Sequence, residues 1–141
     1  MNKFALIACA FHAAAAVAIT PAQVQVTIQG VTPGKGPVII SVYKTDDTWL
    51  KKGKAVDIKK VDSTGKNVVA SLTLEPGTYA LQAFQDENDN DKLDMNWLPP
   101  GPGEPWVVSN NAQGAMGPPS FKDASFSVST DQKIALVLQQ P

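Results

Sequence analysis

Gln23-Val24-Gln25-Val26-Thr27-Ile28-Gln29 alternates polar and apolar residues without a break, and this stretch decides the fold class. A period of two puts alternate side chains on opposite faces of a pleated strand, one face toward a core and the other toward water. The pattern returns along the chain. Val38-Ile39-Ile40-Ser41-Val42-Tyr43 reads as a second, more buried strand, Val68 to Leu74 alternates again, and Tyr79, Leu81, Ala83 and Phe84 mark another. Phe126 to Ser129 and Ile134 to Leu138 add two more, joined by a Thr130-Asp131-Gln132 turn, while Gly30 to Gly36 with Pro33-Gly34 separates the first pair. About seven short strands with at most one helical turn predict an all-β antiparallel sandwich of prealbumin or immunoglobulin type.

One short helix is expected between the second and third strands. Asp46 or Asp47 suits its start, Trp49 and Leu50 its core face, Lys51 and Lys52 its last turn, and Gly53 the left-handed position beyond it. Glu87 to Ser120 breaks the strand pattern. It holds Pro99, Pro100, Pro102, Pro105, Pro118 and Pro119 with four glycines, and it predicts a long loop. Long irregular insertions in compact domains are functional or disordered, and Trp97, Trp106 and Phe121 argue for order here.

The amino-terminal residues point to export. Lys3 precedes an apolar, alanine-rich run from Phe4 to Ile19, and small residues follow at Ala16-Val17-Ala18 and Thr20-Pro21-Ala22. That is the composition of a secretory signal peptide, residues 1–22, with a cut after Ala22 preferred and one after Ala18 as the alternative. No later stretch is long and apolar enough to span a bilayer, so the chain is not expected to be membrane-spanning. A retained amino-terminal anchor is a further alternative. Leu6-Ile7-Ala8-Cys9 has the local pattern of a lipoprotein signal, but too few apolar residues precede Cys9. The expected product is a single domain over residues 23–141, periplasmic or secreted.

Removing the leader removes Cys9 and His12, the only cysteine and the only histidine, and all twelve basic residues are lysine. A domain of this length builds a core without staples, and without disulfides it relies on that core or on a bound ion. With weak net charge, no nucleic-acid partner is expected. Triads, zinc sites and thiol chemistry lack their residues, and Gly101-Pro102-Gly103 precedes no helix as a phosphate loop must. Ser63-Thr64-Gly65-Lys66 has a serine–lysine spacing but reads as a hairpin turn. The chain is therefore expected not to be an enzyme; hydrolysis by acids alone is the weaker alternative.

Asp86-Glu87-Asn88-Asp89-Asn90-Asp91-Lys92-Leu93-Asp94 sets five acids against one lysine. Asp86, Asn88 and Asn90 are two apart, so in a curled loop their side-chain oxygens converge. Lys92 adds a backbone carbonyl and Asp94 a carboxylate, which makes positions one, three, five, seven and nine of an EF-hand-like loop. Oxygen ligands alone select calcium. Asp91 stands where that loop wants glycine, and Trp97 stands where it wants a bidentate glutamate, so Glu104 is expected to fold back and complete the shell. The competing reading is a solvated loop whose Asp and Asn side chains cap backbone amides. Lys51, Lys52, Lys54, Lys59 and Lys60 read as a solvated loop that is able to meet anionic headgroups or polysaccharide. Trp97 and Trp106, with Glu104, are the candidate ligand surface, either for an unknown protein or for envelope polysaccharide stacked on the two rings.

Leu74-Glu75-Pro76-Gly77-Thr78-Tyr79-Ala80, the acidic loop, Ser109-Asn110-Asn111-Ala112, and Gly117-Pro118-Pro119-Ser120-Phe121 with Asp123-Ala124-Ser125-Phe126 follow one another in an order with a precedent. Together they resemble the bacterial exported family known as domain of unknown function 2141. The resemblance implies an exported β-sandwich with no established activity and no catalytic residues to carry over. The Pro-Gly-Thr-Tyr-Ala turn also resembles prealbumin-like and carboxypeptidase-regulatory-like sandwiches, and supports the fold by analogy.

Overall fold

Ala22–Gln29 forms the first strand, β1, and its side chains alternate between buried and exposed as its sequence alternates between apolar and polar. The computed structural model describes residues 10–141; Lys3 and Cys9, on which the leader and lipid-anchor readings draw, lie outside them. Residues 10–21 form neither helix nor strand and are exposed. After β1 come β2 (Val38–Tyr43), β3 (Asp57–Val61), β4 (Asn67–Leu74), β5 (Gly77–Gln85), β6 (Met95–Asn96), β7 (Gly101–Pro102) and β8 (Trp106–Val108). The four-residue helix α1 (Phe121–Ala124), β9 (Phe126–Val128) and β10 (Gln132–Val137) complete the order.

Two sheets face each other, as the alternation predicts. One has the order β10-β1-β4, and the other β3-β2-β5, with β5 pairing β9 at its start and β8 at its end. Val24, Val26 and Ile28 of β1 meet Leu72 and Leu136 from their own sheet and Val38, Ile40, Val42, Leu81 and Ala83 from the other. Burying an aliphatic side chain of this size contributes roughly 1.5–3 kcal/mol, so this one layer carries the fold. A second cluster lies at Ala80, Val108 and Ala124, with Trp49, Trp106 and Phe121 packed against it. Its Trp49 packs against Tyr43 at the end of β2, a strand buried along its whole length.

The fold is the expected all-β sandwich, with differences in detail. All strand pairs are antiparallel except β1–β10, which runs parallel with Val26 opposite Ile134. The lysine run, read as a loop, contains the edge strand β3, whose inner edge pairs with β2. Lysines guard an exposed strand edge against pairing with another chain, and here they hide a strand's apolar period. The expected helix is a single 3-10 turn at Asp46–Thr48. Trp49 leaves it with a non-helical φ of -53° and ψ of 126°, its ring edge-on to Tyr43, 5.3 Å away between centroids, and Leu50 follows at φ 56°. Ser63 to Lys66 joins strands of different sheets, so it is a crossover and not a hairpin. The long Pro/Gly segment holds the β6–β7 hairpin and β8. Among the described residues no helix is long and apolar enough to cross a membrane.

Candidate metal centre

The acidic loop starts where β5 ends, and its root is fixed before any acid matters. Gln85 is fully buried and its side chain makes three hydrogen bonds: its amide oxygen accepts from Thr32 N at 2.9 Å, and its Nε2 donates to Thr32 O and Gly36 O at 2.7 and 3.2 Å. Asp86 N donates to Pro37 O at 2.8 Å. The approach to Gly36 is so close that a Cβ there would lie 1.9 Å from Asp86 O, at a φ of +97° that side chains avoid.

Asp86 is buried, and both its oxygens are engaged: Oδ1 accepts from Asn90 N at 3.1 Å and Oδ2 from Asp91 N at 2.8 Å. These bonds curl the chain through Asp89 and Asp91, both left-handed with φ 56° and 60°. Aspartate tolerates that conformation better than most residues, so the aspartate at the expected glycine position does not stop the turn. The curl brings three side chains to one point, where Asn88 Nδ2 and Asn90 Nδ2 both donate to Asp94 Oδ2, at 2.6 and 2.8 Å. Those bonds, Asn88 first, outweigh desolvation and hold the Asp94 carboxyl below the usual aspartate range; Lys92 adds to them. Lys92 N in turn donates to Asn90 Oδ1 at 3.1 Å.

Glu104 does fold back, as expected, but onto backbone and not into a ligand shell. It is buried, with Oε1 accepting from Glu87 N at 2.9 Å and Oε2 from Asp94 N at 3.1 Å. A buried carboxylate must be hydrogen-bonded, and the loop's free amides are the nearest donors.

Asp86, Asp89 and Asp91 form a carboxylate triad with oxygens within 4.8 Å of one another, an arrangement that could hold a metal ion. Asp89 and Asp91 were not expected as ligands, since positions four and six of an EF-hand-like loop face outward. Their partner is the lysine run, again unforeseen: Lys60 Nζ lies 3.0 Å from Asp89 Oδ1 and 2.7 Å from Asp91 Oδ1. Hydrogen bonds to Asp91 and then Asp89 push the Lys60 ammonium above its ordinary pKa of 10.5. The strand periodicity of β3 was the available signal, because its register carries Lys60 to the loop. The loop thus holds two groupings, the carboxylate triad of Asp86, Asp89 and Asp91 and the meeting of Asn88 and Asn90 with Asp94, the second through amide nitrogens. An amide flip at Asn88 and Asn90 would turn oxygen toward Asp94 without moving the backbone.

The two tryptophans of the candidate ligand surface part company. Trp106 sits half-buried in β8, opposite Phe84, while Trp97 is 91% exposed at the tip of the β6–β7 hairpin. Among the described residues no aromatic contact joins them. The other recurrent motifs are structural. Tyr79 Oη donates to Glu75 O at 2.9 Å, closing the corner that opens β5. Buried Ser109 accepts from Leu81 N and donates to Ala124 O; Asn110 Nδ2 donates to Asp123 O and Ser125 O, and Asn111 Oδ1 accepts from Val137 N. Ser120 caps α1 by accepting from Asp123 N.

Fold and loop together define a two-sheet β-sandwich with a structured acidic loop at one end of its central strand. The chain belongs to the family described as uncharacterized protein conserved in bacteria (DUF2141), whose model matches residues 26–135. That stretch runs from within β1 into β10 and includes the whole loop. No curated protein and no solved structure matches the chain.

Proposed function

We propose that this protein is an exported, non-enzymatic binding or structural module whose Asp86–Asp94 loop takes up a calcium ion and stiffens the surface that follows it. The carrying observation is the convergence of Asn88 and Asn90 on Asp94 Oδ2 above a buried Asp86, in a loop already curled by two left-handed aspartates. An ion replacing those amide hydrogens would gather oxygens from positions one, three, five and nine, with the carbonyl of Lys92 as a fifth ligand. Hard oxygen donors without nitrogen or sulfur favour calcium. Because Glu104 is committed to backbone amides, the shell lacks a bidentate acid, and the affinity falls in the weak extracellular range of roughly 0.1–1 mM. Such a site suits a compartment where calcium is millimolar, in keeping with export, and the partner would be a protein or polysaccharide of the cell envelope.

The test is a thermal melt in calcium and in chelator. At about ten times Kd, an ion bound only by the folded state stabilises by roughly 1.4 kcal/mol, a rise of about 5 °C for a domain of this size. Asp94→Asn and Asn90→Ala should each abolish that rise. A melting temperature indifferent to millimolar calcium would leave the loop as an amide-capping structure and sink the reading.

A further inference from the structure

Among the described residues, the sandwich guards each open strand edge except one. β3 carries Asp57, Lys59 and Lys60, and β8 and β9 are three residues each. β10 carries Lys133 and gives its outward Val137 N–H to Asn111 Oδ1. β4 has none of these devices. Its eight residues, Asn67–Leu74, include no charge, proline or glycine; it pairs with β1 alone, and that ladder runs without a bulge. The direction of its vacant groups follows from β1. Gln23 N donates to Asp131 Oδ1 and Gln29 O accepts from Leu138 N, so these residues turn their backbone toward β10. Val24, Val26 and Ile28 then turn theirs toward β4, where Leu72, Ala70 and Val68 answer them. Asn67, Val69, Ser71 and Thr73 therefore aim N–H and C=O at the open edge, and all four are exposed, Val69 at 49%. A long, uncharged edge of this kind is a template for another strand.

We propose that β4 pairs antiparallel with the β4 of a second copy of this chain, about a two-fold axis at Ala70, so that one sheet runs through both copies. The ends of the strand choose this occupant. Lys66 precedes β4 and Glu75 follows it, both exposed and neither in an ion pair among the described residues. The two-fold puts Lys66 opposite the partner's Leu74 and so beside the partner's Glu75, and it does this at both ends of the pairing. A parallel pairing would set like charges together. The rows between the ends agree. On the outer face Asn67 falls opposite the partner's Thr73 and Val69 opposite the partner's Ser71. On the core face Val68 falls opposite the partner's Leu72, so the apolar rows continue each other; a slip of one residue would turn them to water. The pairing makes about eight backbone hydrogen bonds, close to the ten or so of a standard interface. Net charge is only -1 per chain, so two copies approach without strong repulsion.

The test is sedimentation equilibrium of the full chain from micromolar to millimolar concentration. Val69→Lys gives β4 the guard it lacks. Lys66→Glu sets acid against acid at both ends, and Lys66→Glu with Glu75→Lys restores the attraction with the charges exchanged. All three sites are exposed, so the variants should melt with the wild type, and the amino-terminal apolar run is the same in every chain. Expected is a monomer–dimer equilibrium in the wild type, at least about tenfold weaker in Val69→Lys and about tenfold weaker in Lys66→Glu. The double variant should return to within about threefold of the wild type. Three results overturn the proposal. The first is a wild type that stays monomeric at millimolar concentration, as an edge reserved for another protein's strand would. The second is a Val69→Lys chain that associates as well as the wild type, which places the contact elsewhere. The third is a double variant no tighter than Lys66→Glu alone, which removes the two-fold pairing.

Discussion

Glu104 reaches back to Asp94: its Oε2 accepts the Asp94 amide at 3.1 Å, and its other oxygen holds the amide of Glu87 at 2.9 Å. One buried carboxylate thereby ties both ends of the acidic loop to the strand that follows it. Glu104→Ala leaves two amides without their acceptor, and an unsatisfied buried donor costs about 1–3 kcal/mol. The variant should lose about 2 kcal/mol in denaturant unfolding and the calcium response with it. Glu104→Gln keeps one acceptor oxygen, so an intermediate loss is expected; equal stability of wild type and the alanine variant would show that the tie is not energetic.

Gly36 is the second control on the loop, from the opposite side. Its Cβ would overlap Asp86 O, and its φ of +97° strains any L side chain. Gly36→Ala therefore shifts the backbone that positions Asp86. Backbone strain of this kind costs of order 1–3 kcal/mol before the overlap is counted. A chemical melt should show a loss of more than about 2 kcal/mol, and isothermal titration should show weakened calcium binding.

Lys60 decides between the two groupings. Its ammonium bridges Asp89 and Asp91 but touches neither Asn88 nor Asp94. If calcium takes the alternating set of Asp86, Asn88, Asn90 and Asp94, Lys60→Met removes only a nearby positive charge, and the apparent Kd should tighten by about two- to fivefold. Tightening far beyond that, or binding lost on Asp89→Asn and Asp91→Asn, would move the ion to the triad.

The pH response follows from the same contacts. Asp94 has its pKa lowered in the fold, by Asn88 and Asn90 and by Lys92, so its contribution is fully present above the ordinary value of 3.8 and is lost as pH falls through the lowered one. Lys60 is shifted upward, so its contribution is complete below 10.5 and is lost only at strongly alkaline pH. Melting temperature should be flat across neutral pH and drop at acid pH below 3.8. In Asp94→Asn the acid limb should flatten. A drop already complete at pH 5 would contradict the lowered carboxyl.

The parts of this fold that rest on alternation were legible in the sequence. β1 and β4 lie where period-two patterning puts them, because one face of each is buried and register is then forced, whereas β2 and most of β5 are buried on both faces and read as short apolar runs. β3 was hidden because Ile58 and Lys60 share its exposed face, and edge chemistry overrides apolar period. β8 was hidden because Trp106-Val107-Val108 is short and follows a proline-rich stretch that carries no pattern of its own. In the site, the spacing of two predicts that the oxygens of Asp86, Asn88 and Asn90 converge; the structure instead brings the amide nitrogens of Asn88 and Asn90 to Asp94 and turns Asp86 to the backbone amides of Asn90 and Asp91. The cation facing Asp89 and Asp91 comes from 29 and 31 residues away, and only strand register could have brought it there.

Register also bears on where an exported form would begin. Ala22 is 3% exposed and sits opposite Leu74 in the β1–β4 ladder, whereas residues 10–21 are exposed and outside any strand. A cut after Ala22 would strip the first core residue from β1 and leave a new amino group at Gln23, whose N already donates to Asp131 Oδ1 at 2.7 Å. A cut after Ala18 leaves the strand whole. Lost burial of one methyl group costs about 0.8 kcal/mol, partly offset by a new ion pair with Asp131. Were the chain exported and cut, Ile19 as the first residue is the form that keeps β1 whole, and mass spectrometry of the mature protein reads which form is made. A chain expressed from Ile19 should melt slightly above one expressed from Gln23, and a mature form starting at Gln23 with undiminished stability would mean that the Asp131 contact outweighs the loss of Ala22.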